Sequence, residues 1–201
     1  MRILPSGDQA LLVELDDLDQ VLAYYTALAT DPPSDVVDIV PAARTILVTT
    51  TGSLDALSRT LRSVTPTPGT RASSDLIEIP VTYDGEDLQD VADLLGCTSA
   101  EVVERHTGEN WTVAFCGFAP GFGYLTGSSS WDIPRRQSPR TKVPTGAVAL
   151  AGEFSGVYPR ESPGGWQLIG RTDVQIFDQE RDPAALFHPG RQVRFVDAGR
   201  G

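Results

Sequence analysis

Three loops in the second half of the chain carry residue types that can do chemistry. The first, Phe115-Cys116-Gly117-Phe118-Ala119-Pro120-Gly121-Phe122-Gly123-Tyr124-Leu125, sets three glycines, a proline and four aromatics in eleven residues. Glycine-rich backbone lets N–H groups approach a ligand while aromatic rings wall it, which makes Gly117, Phe118, Pro120 and Gly121 binding candidates. A packed Ω-loop whose rings plug a barrel end is the competing reading. The second loop, over 134–144, holds Arg135, Arg136, Arg140 and Lys142 with no acid. Guanidinium forks grip carboxylate or phosphate oxygens bidentately, so Arg135, Arg136 and Arg140 are read as an anion clamp. Alternatively these bases pair with the acidic first domain and hold an interface. In the third, Tyr158-Pro159-Arg160-Glu161-Ser162-Pro163-Gly164-Gly165-Trp166, Glu161 is a carboxylate for acid–base work or magnesium, or half of a salt-bridged turn, and Trp166 is a further binding candidate. His106, in the last turn of a predicted helix, is either a general base near neutral pH or a cation favoured by the helix C-terminus. His188, in His-Pro-Gly, reads as a turn residue.

Composition removes several function classes. The 201 residues carry a formal net charge of −11; residues 1–100 hold 16 acids and 5 bases, whereas residues 101–201 hold 11 of each. Such a chain is a poor match for a phosphate backbone, and no nucleic-acid partner is expected. No apolar run reaches the roughly 18 residues of a membrane span, and the start lacks a secretory apolar region, so a cytoplasmic chain without membrane attachment is expected. Cys97 and Cys116 stand nineteen positions apart, fitting neither a CxxC pair nor a zinc knuckle, and are expected to be free thiols. With only two histidines, HExxH and multi-histidine metal sites are excluded, and no metal site is expected in this chain. Walker A, GxSxG and GxGxxG signatures are also missing.

The elements that must position these loops follow from periodicity. Residues 11–15, 36–40, 45–50 and 76–83 read as strands. Helices are predicted where Leu18, Val21, Leu22, Tyr25 and Leu28 recur after Asp16-Asp17, and where Leu54, Leu57, Leu61 and Val64 follow Ser53. The order β-α-β-β-α-β is that of a ferredoxin-like unit, with a Pro/Thr/Ser/Gly-rich linker over 65–74. A helical hairpin over 86–107 follows, its second helix opened by the capping box Thr98/Glu101. A DNA-reading helix-turn-helix is excluded there, because acids crowd 84–104 with no base before Arg105. Beyond Asn110, short apolar runs separated by Gly and Pro predict an all-β sandwich or barrel. The expected class is α+β, with an N-terminal α/β domain over 1–72 and a β-rich domain over 73–201.

Taken together, GFAPGFGYL (117–125), PRRQSPRTKVPTGAVALAG (134–152) and YPRESPGGWQLIGRT (158–172), with His106 upstream, closely resemble the family known as allophanate hydrolase subunit 1. Its members include one of the chains of 5-oxoprolinase, a sporulation kinase inhibitor, KipI, and half of the urea carboxylase carboxyltransferase domain. The resemblance implies a small N-terminal α/β domain followed by a cyclophilin-like β-barrel. It also implies partners, an allophanate hydrolase subunit 2-like chain (the C component of 5-oxoprolinase) and the A component of that enzyme, and ATP with magnesium shared among them. The reaction implied first is ATP-dependent opening of 5-oxoproline to glutamate; histidine kinase inhibition and a carboxyltransferase role are the alternatives. For such chemistry the arginines would hold an anion, Gly117 to Gly121 would offer N–H groups, and His106 or Glu161 would handle protons. Ala43 stands where members often carry an aromatic, and Phe154-Ser155 where they often carry Gln-Thr.

Overall fold

Alternating apolar residues fold the first part of the chain into one sheet with one buried face. In the computed structural model, which describes residues 1–66, 76–129 and 131–200, the chain divides into two units, Met1–Thr70 and Arg71–Gly201. The first contains β1 (Arg2–Pro5), β2 (Ala10–Glu14), α1 (Leu18–Thr30), β3 (Val36–Pro41), β4 (Thr45–Thr50) and α2 (Leu54–Ser63). The strands form an antiparallel sheet in the order β1-β2-β4-β3. Ile46 and Val48 alternate inward from β4 and meet Val21, Tyr24 and Leu28 of α1 and Leu57 and Leu61 of α2. Asp17 starts α1 by accepting the Gln20 N–H at 2.8 Å. The buried Tyr24 hydroxyl donates to the Leu61 carbonyl, tying α1 to α2, and burial pushes its pKa up to about 12.

The expected final strand of this unit lies elsewhere. Residues Leu76–Val81 form β5, which pairs in parallel with β13 (Gln192–Asp197) in the second unit, and β1 takes the edge place beside β2. At four residues, β1 is too short for its alternation to stand out in sequence. The expected linker over 65–74 falls almost wholly outside the described residues.

The second unit continues with α3 (Leu88–Leu95), α4 (Ser99–Gly108), β6 (Trp111–Cys116), β7 (Gly123–Thr126), β8 (Arg140–Val143), β9 (Ala147–Ala151), β10 (Phe154–Val157), β11 (Ser162–Gly164) and β12 (Gln167–Arg171). Seven strands run β12-β9-β10-β7-β6-β13-β5, and β8 pairs with β11 in a separate ribbon. The two ends of the seven-stranded sheet meet: Thr82, just past β5, and Arg171, ending β12, exchange both backbone hydrogen bonds at 2.8 and 2.9 Å. The sheet is thus a nearly closed barrel, filled by Trp111, Leu125, Val148, Leu150, Ile169 and Phe195. The predicted helical hairpin forms, with α3 ended by Gly96 at φ 66° and α4 opened by the Thr98/Glu101 capping box. Cys97 and Cys116 are free thiols. Among the described residues no helix is long and apolar enough to cross a membrane.

Closure requires close backbone approach, because a Cβ at Gly170 would lie 2.6 Å from the Thr82 carbonyl oxygen and 2.9 Å from Val81 Cγ1. Gly170→Ala is therefore expected to cost about 2 kcal/mol or more by overpacking, read as a lower urea midpoint. Gly96→Ala, where a Cβ meets nothing within 4 Å and only the left-handed backbone opposes it, should cost about 1 kcal/mol.

Candidate functional site

The second loop is fixed to the barrel by one carboxylate. Asp87 precedes α3 but does not cap it; its side chain turns away and accepts the Leu168 N–H at 2.7 Å, Arg136 Nη1 at 2.6 Å and both Arg140 Nη atoms at 2.9 and 2.8 Å. Arg140 also reaches Glu86 at 2.9 Å. Burial pushes the Asp87 pKa upward, but the hydrogen bonds from Arg140 and Leu168 and the charges of Arg140 and Arg136 outweigh it and hold the carboxyl below its usual range. A Cβ at Gly85 would lie 2.3 Å from the Leu168 carbonyl oxygen, so only glycine lets this segment lie against β12.

The expected three-arginine clamp is therefore corrected: Arg136 and Arg140 neutralise Asp87 and are not available to a ligand. Their partners are acids of the same unit, not of the acidic N-terminal domain. Glu161 pairs with Lys142 at 3.0 Å with both side chains largely exposed, which makes it the salt-bridged turn and not a positioned acid–base group. Arg135, by contrast, is exposed and has no ion-pair partner among the described residues.

Arg135 lines a cleft of about 120 Å³ together with Phe118, Phe122, Tyr124, Tyr158, Trp166 and the Gly164-Gly165 backbone. All three loops contribute. The rings meet edge to face, Phe122 lying 5.3 Å from Trp166 and 5.4 Å from Tyr158, and Tyr124 5.5 Å from Trp166. Tyr158 packs tightly on the third loop: a Cβ at Gly164 would lie 2.3 Å from its hydroxyl oxygen. At the mouth, Phe118 has φ 67° and is 58% exposed. With Ala119 N–H donating to the Gly117 carbonyl at 2.7 Å it is the centre of a γ-turn, a conformation unfavourable for a residue with a Cβ. Pro120 and Gly121 then form a tight turn closed by Phe122 N–H to the Ala119 carbonyl, with Gly121 at φ 83°. The Gly117, Ala119 and Phe122 N–H groups are thus used within the loop, contrary to the expectation that this backbone serves a ligand. The loop contributes Phe118 and Phe122 as wall.

His106 lies elsewhere. Fully buried at the end of α4, it stacks on Phe195 at 4.5 Å between ring centroids and leans on Trp111 at 5.1 Å. Nδ1 meets the Tyr83 hydroxyl at 2.7 Å and Nε2 the Ser155 hydroxyl at 2.9 Å, so a neutral imidazole donates on one side and accepts on the other. Burial pushes its pKa down to about 3, against a weaker upward pull from Glu109. Both expectations for His106, a general base near neutral pH and a helix-end cation, are overturned by this burial. His188 sits in the turn before β13, its carbonyl accepting the Arg191 N–H at 3.1 Å. Among the described residues no three His, Cys, Asp or Glu side chains converge as a metal site.

Sequence patterns assign no role to Asp87, Tyr158 or Ser155. Tyr158 was legible as an aromatic opening the third loop, whereas Asp87 was one acid among many.

A family model described as carboxyltransferase domain, subdomain C and D, matches residues 1–187. The B component of 5-oxoprolinase from Escherichia coli O157:H7 is 42% identical over 208 residues, spanning 97% of this chain and 95% of the relative. Its counterpart from Bacillus subtilis (strain 168), which bears the same name, is 44% identical over 125 residues, 60% of this chain and 52% of its own. Among solved structures, TTHA0988 superimposes with a TM-score of 0.76 at 33% identity over 94% of this chain, which spans 40% of that protein. PH0987 from Pyrococcus horikoshii has a TM-score of 0.60 at 34% identity over 99% of both chains. The Kluyveromyces lactis urea amidolyase, at 19% identity and TM-score 0.75 over 98% of this chain and 15% of its own, shares the fold.

Replacing Asp87 by Asn removes the charge that two partly buried guanidinium groups require, and an expected loss of about 3 kcal/mol follows. Because the folded pKa is depressed, this contribution is present above the unfolded value of about 3.9 and is lost as pH falls below it. The urea midpoints of wild type and Asp87→Asn should therefore converge in acid. For His106 the unfolded chain binds the extra proton between about 6.5 and the folded value near 3, so stability should fall as pH drops below about 6.5. His106→Gln should flatten that decline between about pH 6.5 and 5, above the range where most carboxylates titrate.

Proposed function

The chain belongs to the carboxyltransferase-domain family, subdomain C and D, and on that premise we propose that it is the B component of a 5-oxoprolinase. The observation that carries this reading is the likeness to the E. coli protein along nearly the whole of both chains. The reaction proposed is the ATP-dependent opening of the 5-oxoproline lactam to glutamate. A lactam amide is a poor electrophile, and phosphorylation of its carbonyl oxygen is the physical reason for an ATP step. The barrel is read as cyclophilin-like.

The residues of this chain do not fit a nucleoside triphosphate by themselves. The cleft of about 120 Å³ is well below the roughly 300 Å³ at which ligand pockets usually begin. One unpaired arginine faces it, and the glycine loop has spent three of its N–H groups. ATP and magnesium are therefore assigned to the assembled complex, whose other members are the A component and the allophanate hydrolase subunit 2-like C component. A cytoplasmic location suits the two free thiols.

The chain alone should release no phosphate from ATP. Mixed with the A and C components it should give phosphate release that depends on 5-oxoproline; a mixture without such release overturns the proposal.

A further inference from the structure

We propose that the aromatic cleft takes a small ring bearing a carboxylate and that Arg135 is the residue selecting that carboxylate. This rests on the 5-oxoprolinase reading only for naming the ring as 5-oxoproline; the site itself is argued from the cleft.

Size comes first. An apolar cavity of about 150 Å³ holds one benzene, so a space of about 120 Å³ admits a single small ring and excludes a nucleotide or a folded peptide segment. Five aromatic rings give that space its apolar walls, suited to the methylene face of a saturated ring.

The polar side chains left over include one cation and two neutral groups that can donate. Neighbouring cations are committed, Arg136 and Arg140 to Asp87 and Lys142 to Glu161. Arg135 has no such partner, and neither the Tyr124 hydroxyl nor the Trp166 indole N–H has a hydrogen-bond partner among the described residues. Among the described residues no acid lines the cleft. The positive charge of Arg135 also bears on the phenols of both Tyr124 and Tyr158, which places the guanidinium within electrostatic reach of the cleft's two hydroxyls. A ligand that answers this set offers an anionic carboxylate for Arg135 and a ring amide whose carbonyl can accept from the neutral donors.

The backbone that carries Arg135 is also held in place. Its neighbour Arg136 donates its N–H to the Gly165 carbonyl at 2.7 Å and its guanidinium to Asp87, so the backbone beside Arg135 is anchored to the cleft floor and to α3. Binding can therefore select a ligand without first ordering the loop.

The test uses the reconstituted complex and, in parallel, the full chain alone. In the complex, Arg135→Ala should raise KM for 5-oxoproline about 10- to 100-fold, the range for loss of a charge-assisted hydrogen bond. Inhibition by 2-pyrrolidinone, the same ring without the carboxylate, should stay unchanged, and Arg135→Lys should restore part of the loss. An active complex with unchanged KM in Arg135→Ala overturns the inference and leaves the 5-oxoprolinase reading standing. If the wild-type complex shows no 5-oxoproline-dependent ATP hydrolysis, the 5-oxoprolinase reading falls, and ligand titration of the full chain decides the site. Shifts of the Trp166 indole N–H resonance with 5-oxoproline, weaker with 2-pyrrolidinone or inorganic phosphate and lost in Arg135→Ala, uphold it. Equal response to the three probes, or none, overturns it.

Discussion

A carboxylate with only 2% of its side chain exposed cannot stay ionised without partners, and the partners Asp87 takes decide how the second unit is put together. One is the backbone of β12, at the edge where the barrel closes. Two others are arginines of a segment that has little apolar surface of its own to fix it. Glu86 and Gly85, beside Asp87, extend the contact to Arg140 and to the β12 backbone. A surface loop full of prolines and bases, anchored to the core mainly through Val143, thereby acquires a defined conformation. The aromatic cleft inherits that definition, since its Gly165 wall is hydrogen-bonded to the same segment.

The barrel interior handles polarity differently. His106, Tyr83 and Ser155 form a chain of neutral groups, each satisfied by the next, in a setting of stacked aromatic rings. Keeping the imidazole neutral avoids the cost of a buried charge, and the ring stacks on Phe195 much as another aromatic would. A histidine in this position specifies where α4 must sit on the barrel. The cleft and the polar group in the core are therefore built from separate residues.

Much of this was legible in sequence where local rules dominate. The α4 capping box, the Gly96 stop, the acidic start of α1 and the short strands after Asn110 are read from nearest-neighbour patterns. So was the gathering of rings around Gly-rich turns, since Phe118 and Trp166 do share a cleft. What could not be read depends on distant pairing. Whether Leu76–Val81 joins the first sheet or the second is decided by β13, more than a hundred residues on. Likewise, four bases in one short loop look like a ligand clamp until Asp87, some fifty positions earlier in sequence, is seen to hold two of them. His106 looked like a helix-end residue because periodicity does not reveal that its side of α4 faces the barrel interior.

The parallel pairing of β5 with β13 has a consequence for how the protein is made. The first and last strands of the barrel lie side by side, with β13 also bonded to β6. Such pairing carries a high loop-closure cost and cannot form from a partial chain. During vectorial synthesis the barrel must therefore wait, with β5, β6 and their apolar faces uncovered, until residue 197 has left the ribosome. The all-antiparallel first sheet is complete once β4 has been made, so the two units differ in how long each must remain unfinished during translation.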